Sequence, residues 1–225
     1  MLSPFRSKDT ETSQDLGIIQ TATLTLLGLI IGFTFSRAID RHDQRERYEE
    51  AEANAIGIEY LRADFLPPKA AAATKDLLLQ YIDQRILFYS KQSPDKIQEI
   101  RNQMDKLQTA LWNEILPTVR TQPSPTIALV ASGMHDVINS QGYVQASWWN
   151  RIPYTAWALM AAIAVVGFGA RNFKKSTGLF MIFPFVISVS FFLIADIDSP
   201  RSGAIRIESR NLVALKKIVL PNKQI

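Results

Sequence analysis

GIIQTATLTLLGLIIGFTFS, residues 17–36, runs for twenty residues without a charge. As an α-helix rising 1.5 Å per residue it reaches about 30 Å, the hydrocarbon thickness of a bilayer. The stretch therefore reads as a transmembrane helix. Thr21, Thr25, Gly28, Gly32 and Ser36 recur at steps of four, three, four and four, which places them on one face. Small and hydroxyl side chains on one face admit a close helix, and Gly28-x-x-x-Gly32 has the small-xxx-small spacing of such contacts. That face is the expected helix-packing or pore-facing surface.

Composition narrows the rest. The 225 residues include no cysteine, which excludes disulfides and thiol chemistry and removes the preferred ligand of zinc. The net charge is a modest +4. Basic residues gather at the ends of apolar segments, a placement suited to phospholipid head groups, and no nucleic-acid recognition motif occurs. The first apolar stretch is longer than a signal-peptide core and is followed by Arg37, so an uncleaved anchor is expected.

Beyond the anchor, residues 37–66 contain no proline and a single glycine, Gly57, so the helix is expected to continue out of the membrane as far as Pro67-Pro68. Within it RHDQRERYEE, residues 41–50, reads as a solvated face stitched by opposite charges, with the lining of a vestibule as the alternative. Asn54, Gly57, Ile58, Leu61 and Phe65 fall on one side, where Gly57 suggests a close helix contact. A second helix is expected over 70–89. Ser93-Pro94 starts a third, whose Ile97, Ile100, Met104, Leu107, Leu111 and Ile115 recur at three- and four-residue spacing until Pro117. Ser124-Pro125 starts a fourth, with Ile127, Val130, Met134, Val137 and Ile138 inward. Trp148, Trp149 and Arg151 form an expected membrane-interface anchor. Two further uncharged segments, 152–170 and 176–195, flank a basic turn from Arg171 to Lys175, and Pro184 is expected to kink the second of them. The apolar tail beyond Ala204 fits a short strand or a docked helix.

The fold class that follows is an all-α integral membrane protein with three transmembrane helices and a helical bundle between the first and second. The expected divisions are a polar N-terminal tail over 1–16, transmembrane helix 1 over 17–36 and a helical soluble domain over 37–150. A transmembrane hairpin over 151–196 and a C-terminal tail over 197–225 complete the chain. Three spans put the bundle and the C-terminus on one side. Eight arginines lie near the membrane there, against five basic residues opposite, which favours a cytoplasmic bundle.

Signatures of catalysis are missing: there is no His-Glu-x-x-His, no Gly-x-Ser-x-Gly and no phosphate-cradling loop. No enzyme activity, cofactor or metal is expected, and His42 and His135 read as solvated or capping residues. The most pointed polar cluster is Asp196 and Asp198, immediately after an apolar span, where ionisable groups are costly unless paired or wet. One reading is a pore mouth or an ion pair with Arg37; the other is a turn that ends the helix.

Three blocks carry a resemblance. They are Leu27-Gly28-Leu29 with Gly32-Phe33-Thr34-Phe35-Ser36, then Glu52-Ala53-Asn54-Ala55-Ile56-Gly57 with Tyr60-Leu61-Arg62-Ala63-Asp64, then Asp196-x-Asp198-x-Pro200-x-x-Gly203. Together they resemble the bestrophin-like domain family, largely bacterial membrane proteins of unknown function. The resemblance spans about residues 15–215 and implies kinship with the bestrophins, oligomeric anion channels with helical cytoplasmic domains. The bestrophins' pore-lining aromatic pattern and clustered calcium-binding acids have no counterpart in the sequence. The resemblance therefore implies membership and a membrane location, and brings no site residues. The expected function is an oligomeric, channel-like protein of the bacterial inner membrane, with the lipid bilayer, inorganic ions and further copies of itself as partners. The alternative is a membrane-anchored scaffold that binds a protein partner.

Overall fold

A computed structural model describes residues 5–169, 177–201 and 203–220, and no strand occurs among them. Helix α1, Phe5–Arg62, runs unbroken for 58 residues and closes in a 3₁₀ turn, Ala63–Phe65. Leu66 is extended, as a residue before proline must be. Pro68 then occupies the first turn of α2, Pro68–Tyr89. Helices α3, Pro94–Thr121, and α4, Pro125–Trp149, each begin with proline behind a serine cap. Ser93 Oγ accepts from the Lys96 amide at 3.4 Å and Ser124 Oγ from the Ile127 amide at 3.2 Å. Helices α5, Tyr154–Gly169, α6, Thr177–Asp198, and α7, Arg210–Val219, complete the order, so the tail is helical. The basic turn from Arg171 to Lys175 lies outside the described residues. Helix α6 continues through Pro184.

Pro117 does not end α3, which continues through it to Thr121. Proline forfeits the bond to the carbonyl of Asn113, but both residues are exposed and water can serve that carbonyl.

Two compact units divide the chain: residues 1–41 with 151–199, and residues 42–150 with 200–225. In the first, Ile194 and Ile197 of α6 bury against Ile152 and against Ala38 of α1, with Trp157 packed beside them. Trp157 meets Phe191 edge-on at 5.9 Å. Within α1, the length and hydropathy of a membrane-crossing helix are met, and no other helix meets them among the described residues. Its apolar segment is mostly uncovered, with Ile18, Ile19, Leu26, Leu29 and Phe33 exposed.

The second unit is a bundle with one continuous core. Leu78, Ile82 and Phe88 of α2 meet the α3 stripe, Val130, Met134, Val137 and Val144 of α4, and Leu212 of α7. On the α3 stripe Ile97, Ile100, Met104, Leu111 and Ile115 are buried, while Leu107 is only half-buried. Leu111→Ala should therefore cost about 2–5 kcal/mol, and Leu107→Ala clearly less, in denaturant unfolding of the purified protein. Equal costs at both positions would mean that the stripe is covered along its whole width.

Candidate functional site

Asp198, the last residue of α6, is buried and holds the helix ends around it. It accepts from Arg41 Nη1 of α1 at 3.2 Å and from the backbone N–H of Ile152, ahead of α5, at 3.0 Å. The expected ion pair at this point thus involves Arg41, one turn beyond the expected Arg37, which is exposed. The correction is one of helix phase: a residue four further along α1 returns to nearly the same face. Asp196 is also buried, and its carbonyl accepts from the Ser199 amide at 3.2 Å to end the helix.

Among the described residues, nothing covers the glycines of the small-residue face of α1. A Cβ added at Gly28 or Gly32 would meet nothing within 4 Å. Thr21, Thr25 and Ser36 are exposed. The two threonine hydroxyls donate back to the carbonyls of Gly17 and Thr21, each at 2.9 Å, so their polarity is absorbed by the helix itself.

Trp148 is not a membrane-interface anchor. It is buried in the bundle, its ring 4.7 Å from Phe88 and 5.4 Å from Tyr89, with the Arg201 guanidinium 4.3 Å over it. It continues the inward stripe of α4 four residues after Val144, whereas Trp149, rotated by about 100°, is exposed, as is Arg151.

Inside the bundle a line of charged residues on α1 points inward. Of residues 41–50, Asp43, Gln44, Glu46, Arg47 and Glu50 are solvated as expected, but Arg45 and Glu49 are not. Arg45, Glu49, Glu52 and Glu59 follow at steps of four, three and seven, and all four are buried. Arg45 donates to the carbonyls of Ser147 and Asn150, both at 3.2 Å, and so caps the C-terminal end of α4. Glu49 accepts from the Leu212 amide at 3.0 Å and from Asn211 Nδ2 at 2.6 Å, which caps the start of α7. Burial raises the Glu49 carboxyl above its ordinary value, and these hydrogen bonds pull the other way. Glu52 pairs with Arg85 of α2: Nη2 donates to Oε2 at 2.8 Å and Nε lies 2.5 Å from Oε1. Tyr89 Oη donates to the same Oε2 at 3.1 Å, and Arg85 lies over the Phe88 ring at 4.7 Å.

Against known proteins, the sequence matches the bestrophin-like domain over residues 4–212. The chain belongs to the bestrophin-like domain family. No curated relative matches it by sequence. Among solved structures, a variant of a bacterial bestrophin homologue from Klebsiella pneumoniae superposes with a TM-score of 0.67 at 13% identity, covering 94% of this chain and 91% of that one. A second structure of a homologue from that organism gives 0.64 at 13%, covering 89% and 87%. A third, described only as a membrane protein, gives 0.67 at 12%, covering 90% and 86%. At such identities the likeness is one of fold.

Seen in this bestrophin-like fold, two of the recognised blocks acquire physical roles. Glu52 pairs with Arg85, Ala53 and Ile56 enter the core, and Gly57 lets Leu215 Cδ1 of α7 come within 3.0 Å of where a Cβ would stand. In the last block Gly203 takes φ 115°, a conformation that side chains disfavour.

Glu59 stands apart. It is fully buried and neither carboxylate oxygen has a hydrogen-bond partner. Burial pushes its carboxyl up to about 8, with Arg62 lowering it and Asp136 raising it further. The room it occupies exists because residue 133 is glycine: a Cβ there would collide with the Glu59 carboxylate and the Arg62 guanidinium. Arg62 Nη1 is held by the Leu129 carbonyl at 3.3 Å.

Two outcomes follow from this face. Arg85→Met, which strands Glu52, should cost about 3–5 kcal/mol, and adding Glu52→Leu should recover much of the loss. A double-mutant cycle by denaturant unfolding measures it; a coupling near zero would mean that water reaches the pair. For Glu59 the folded group titrates at about 8 against an ordinary 4.5, so between those values the folded chain holds a proton that the unfolded chain releases. Stability should fall as pH rises through that window. Glu59→Gln should flatten the fall and raise Tm at pH 8 by about 2–4 °C or more, with less effect at pH 5. An unchanged pH slope would assign the titration to another group.

Proposed function

We propose that the protein is the subunit of an oligomeric ion channel. The observation that carries this reading is the apolar segment of α1, a membrane-length stretch that the chain itself leaves uncovered, in a member of the bestrophin-like family. Residues 17–36 cross the bilayer in this reading, and the apolar segments containing α5 and α6 cross it again as a hairpin. The helical bundle and the C-terminus lie in the cytoplasm of a bacterial cell, with Trp149 and Arg151 at the head-group level. The face of Thr21, Thr25, Gly28, Gly32 and Ser36 meets another copy or lines the path between copies. Because none of the described residues occupies the space beside Gly28 and Gly32, enlarging them is expected to cost packing with neighbours outside the chain. Asp196 and Asp198 act as a structural clamp at the end of α6.

A scaffold reading is favoured by one observation. Ile58 and Leu61 of α1 and Phe65 of the turn after it are exposed on the bundle, as is Leu129 of α4, apolar side chains that suit a covering partner.

Purified protein in liposomes tests the proposal. The channel reading expects ion flux above that of empty liposomes and the native mass of a symmetric oligomer. Gly28→Ile and Gly32→Ile should leave helical content intact while reducing native mass and flux together. A monomer without flux would support the scaffold, and unchanged mass in both variants would place that face against lipid.

A further inference from the structure

Helix α7 separates into two faces. Leu212 is buried in the bundle, with Leu215 and Val219 packed against the same core. Arg210, Val213, Ala214 and Lys217, at i, i+3, i+4 and i+7, line a groove of about 620 Å³ instead. The opposite wall comes from the C-terminal end of α2 and the residues after it, through Ile86, Tyr89 and Lys91, and the linker before α7 adds Arg206 and Ile207. All of these belong to one compact unit. The volume lies in the range of small-molecule sites, and the mixture of apolar wall with a few polar groups is their usual lining.

The charges are unbalanced. Four cationic side chains, Lys91, Arg206, Arg210 and Lys217, face one carboxylate, Glu208. Glu208 is already engaged, accepting from Arg210 Nε at 2.9 Å. Lys91, Arg206 and Lys217 form no ion pair among the described residues. Cations kept only for solubility need no concavity, whereas these surround one. Arg210 and Lys217 stand about 10 Å apart along the helix with Val213 and Ala214 between them. A ligand fitting this surface has an anionic head for the unpaired cations and a short apolar body for the middle. A metal ion finds a single carboxylate, Glu208, already paired with Arg210, among four cations.

We infer that the groove between the end of α2 and α7 binds a free, small organic anion, a phosphate or carboxylate attached to a short apolar body. The binding surface is bounded along α7, which suits a diffusible molecule of a few hundred cubic ångströms better than the face of a bilayer. Both walls are bonded to α1, through Tyr89 to Glu52 on one side and through the start of α7 to Glu49 on the other. An occupant therefore touches two elements that are bonded to the long helix. The site is independent of whether the protein conducts.

Calorimetry on the full-length protein in a maltoside detergent tests it, with hexyl phosphate as the probe and inorganic phosphate and hexanol as its separate halves. Saturable binding of hexyl phosphate at least ten-fold tighter than either half is expected. Lys91→Glu with Arg206→Glu should abolish it. Val213→Trp, which fills the apolar wall without changing charge, should weaken it at least ten-fold. Lys106→Glu, on α3 outside the groove, should leave it intact. Thermal melts without ligand establish that each variant is folded. The inference is overturned by absent or non-saturable binding, by hexanol binding as tightly, or by binding that survives both groove variants. Competition by vesicles of phosphatidylglycerol, but not of phosphatidylcholine, would overturn it too, by assigning the cations to a lipid surface.

Discussion

The bundle depends on a charged helix face turned inward. Arg45, Glu49 and Glu52 of α1 are all buried, and each is engaged at a place that only its own sign can serve. Arg45 meets carbonyls at the end of α4, Glu49 meets an amide at the start of α7, and Glu52 meets the guanidinium of Arg85 in α2. Hydrophobic contact alone is non-directional and tolerates sliding of one helix along another. A buried cation that requires a C-terminal end, and a buried anion that requires an N-terminal end, remove that freedom. A misregistered pairing would strand a charge at a cost of several kcal/mol. The aliphatic core provides most of the cohesion, and the charged face decides which helix end sits where.

This arrangement gives α1 a mixed distribution. Arg45, Glu49, Glu52 and Glu59 face the core, while Asp43, Glu46, Arg47 and Glu50 are exposed along with Ile58, Leu61 and, in the following turn, Phe65. Spacing in the sequence identifies the faces of a helix but not which one is covered. Opposite charges four residues apart suit a solvated stripe, and the true partners of Arg45 and Glu49 lie more than a hundred residues away. By contrast, the helix starts were legible because their causes are local: Ser93 and Ser124 each cap an amide three residues on, with proline directly behind. Pro117 misled because a proline ends a helix only where the lost bond cannot be compensated. Trp148 misled because it was grouped with its neighbour rather than with the stripe through Val137 and Val144. The stripe was the better guide, since residues four apart share a face and residues one apart do not.

At the candidate site the sequence offered an ion pair or a helix-ending turn for Asp196 and Asp198, and named Arg37 rather than Arg41 as the partner. Asp198 stands directly after an apolar helix, where an unpaired carboxylate is costly, so a partner was required. Which arginine supplies it depends on the rotation of α1. The choice of Arg41 over Arg37 is settled by packing around Ala38, Ile152 and Ile197, which no local pattern records. The other hydrogen-bond donor to Asp198, the amide of Ile152, carries no side-chain signal at all. The groove on α7 was equally hidden, since its lining comes from two segments far apart in the sequence.

Glu59 completes the logic of the inward face by breaking its rule. The other buried ions of the bundle are two guanidiniums, Arg45 and Arg85, and two carboxylates, Glu49 and Glu52. Their formal charges cancel. A third buried carboxylate with no hydrogen-bond partner would leave the interior with a net negative charge in a medium that screens poorly. Instead its proton is held up to a pH of about 8, so near neutrality the buried set stays balanced. Gly133 provides the space for that carboxyl, and Arg62, anchored on the Leu129 carbonyl, stays close enough to temper the shift without abolishing it. Above that pH the balance fails at one residue, beside the exposed apolar group of Ile58, Leu61 and Leu129.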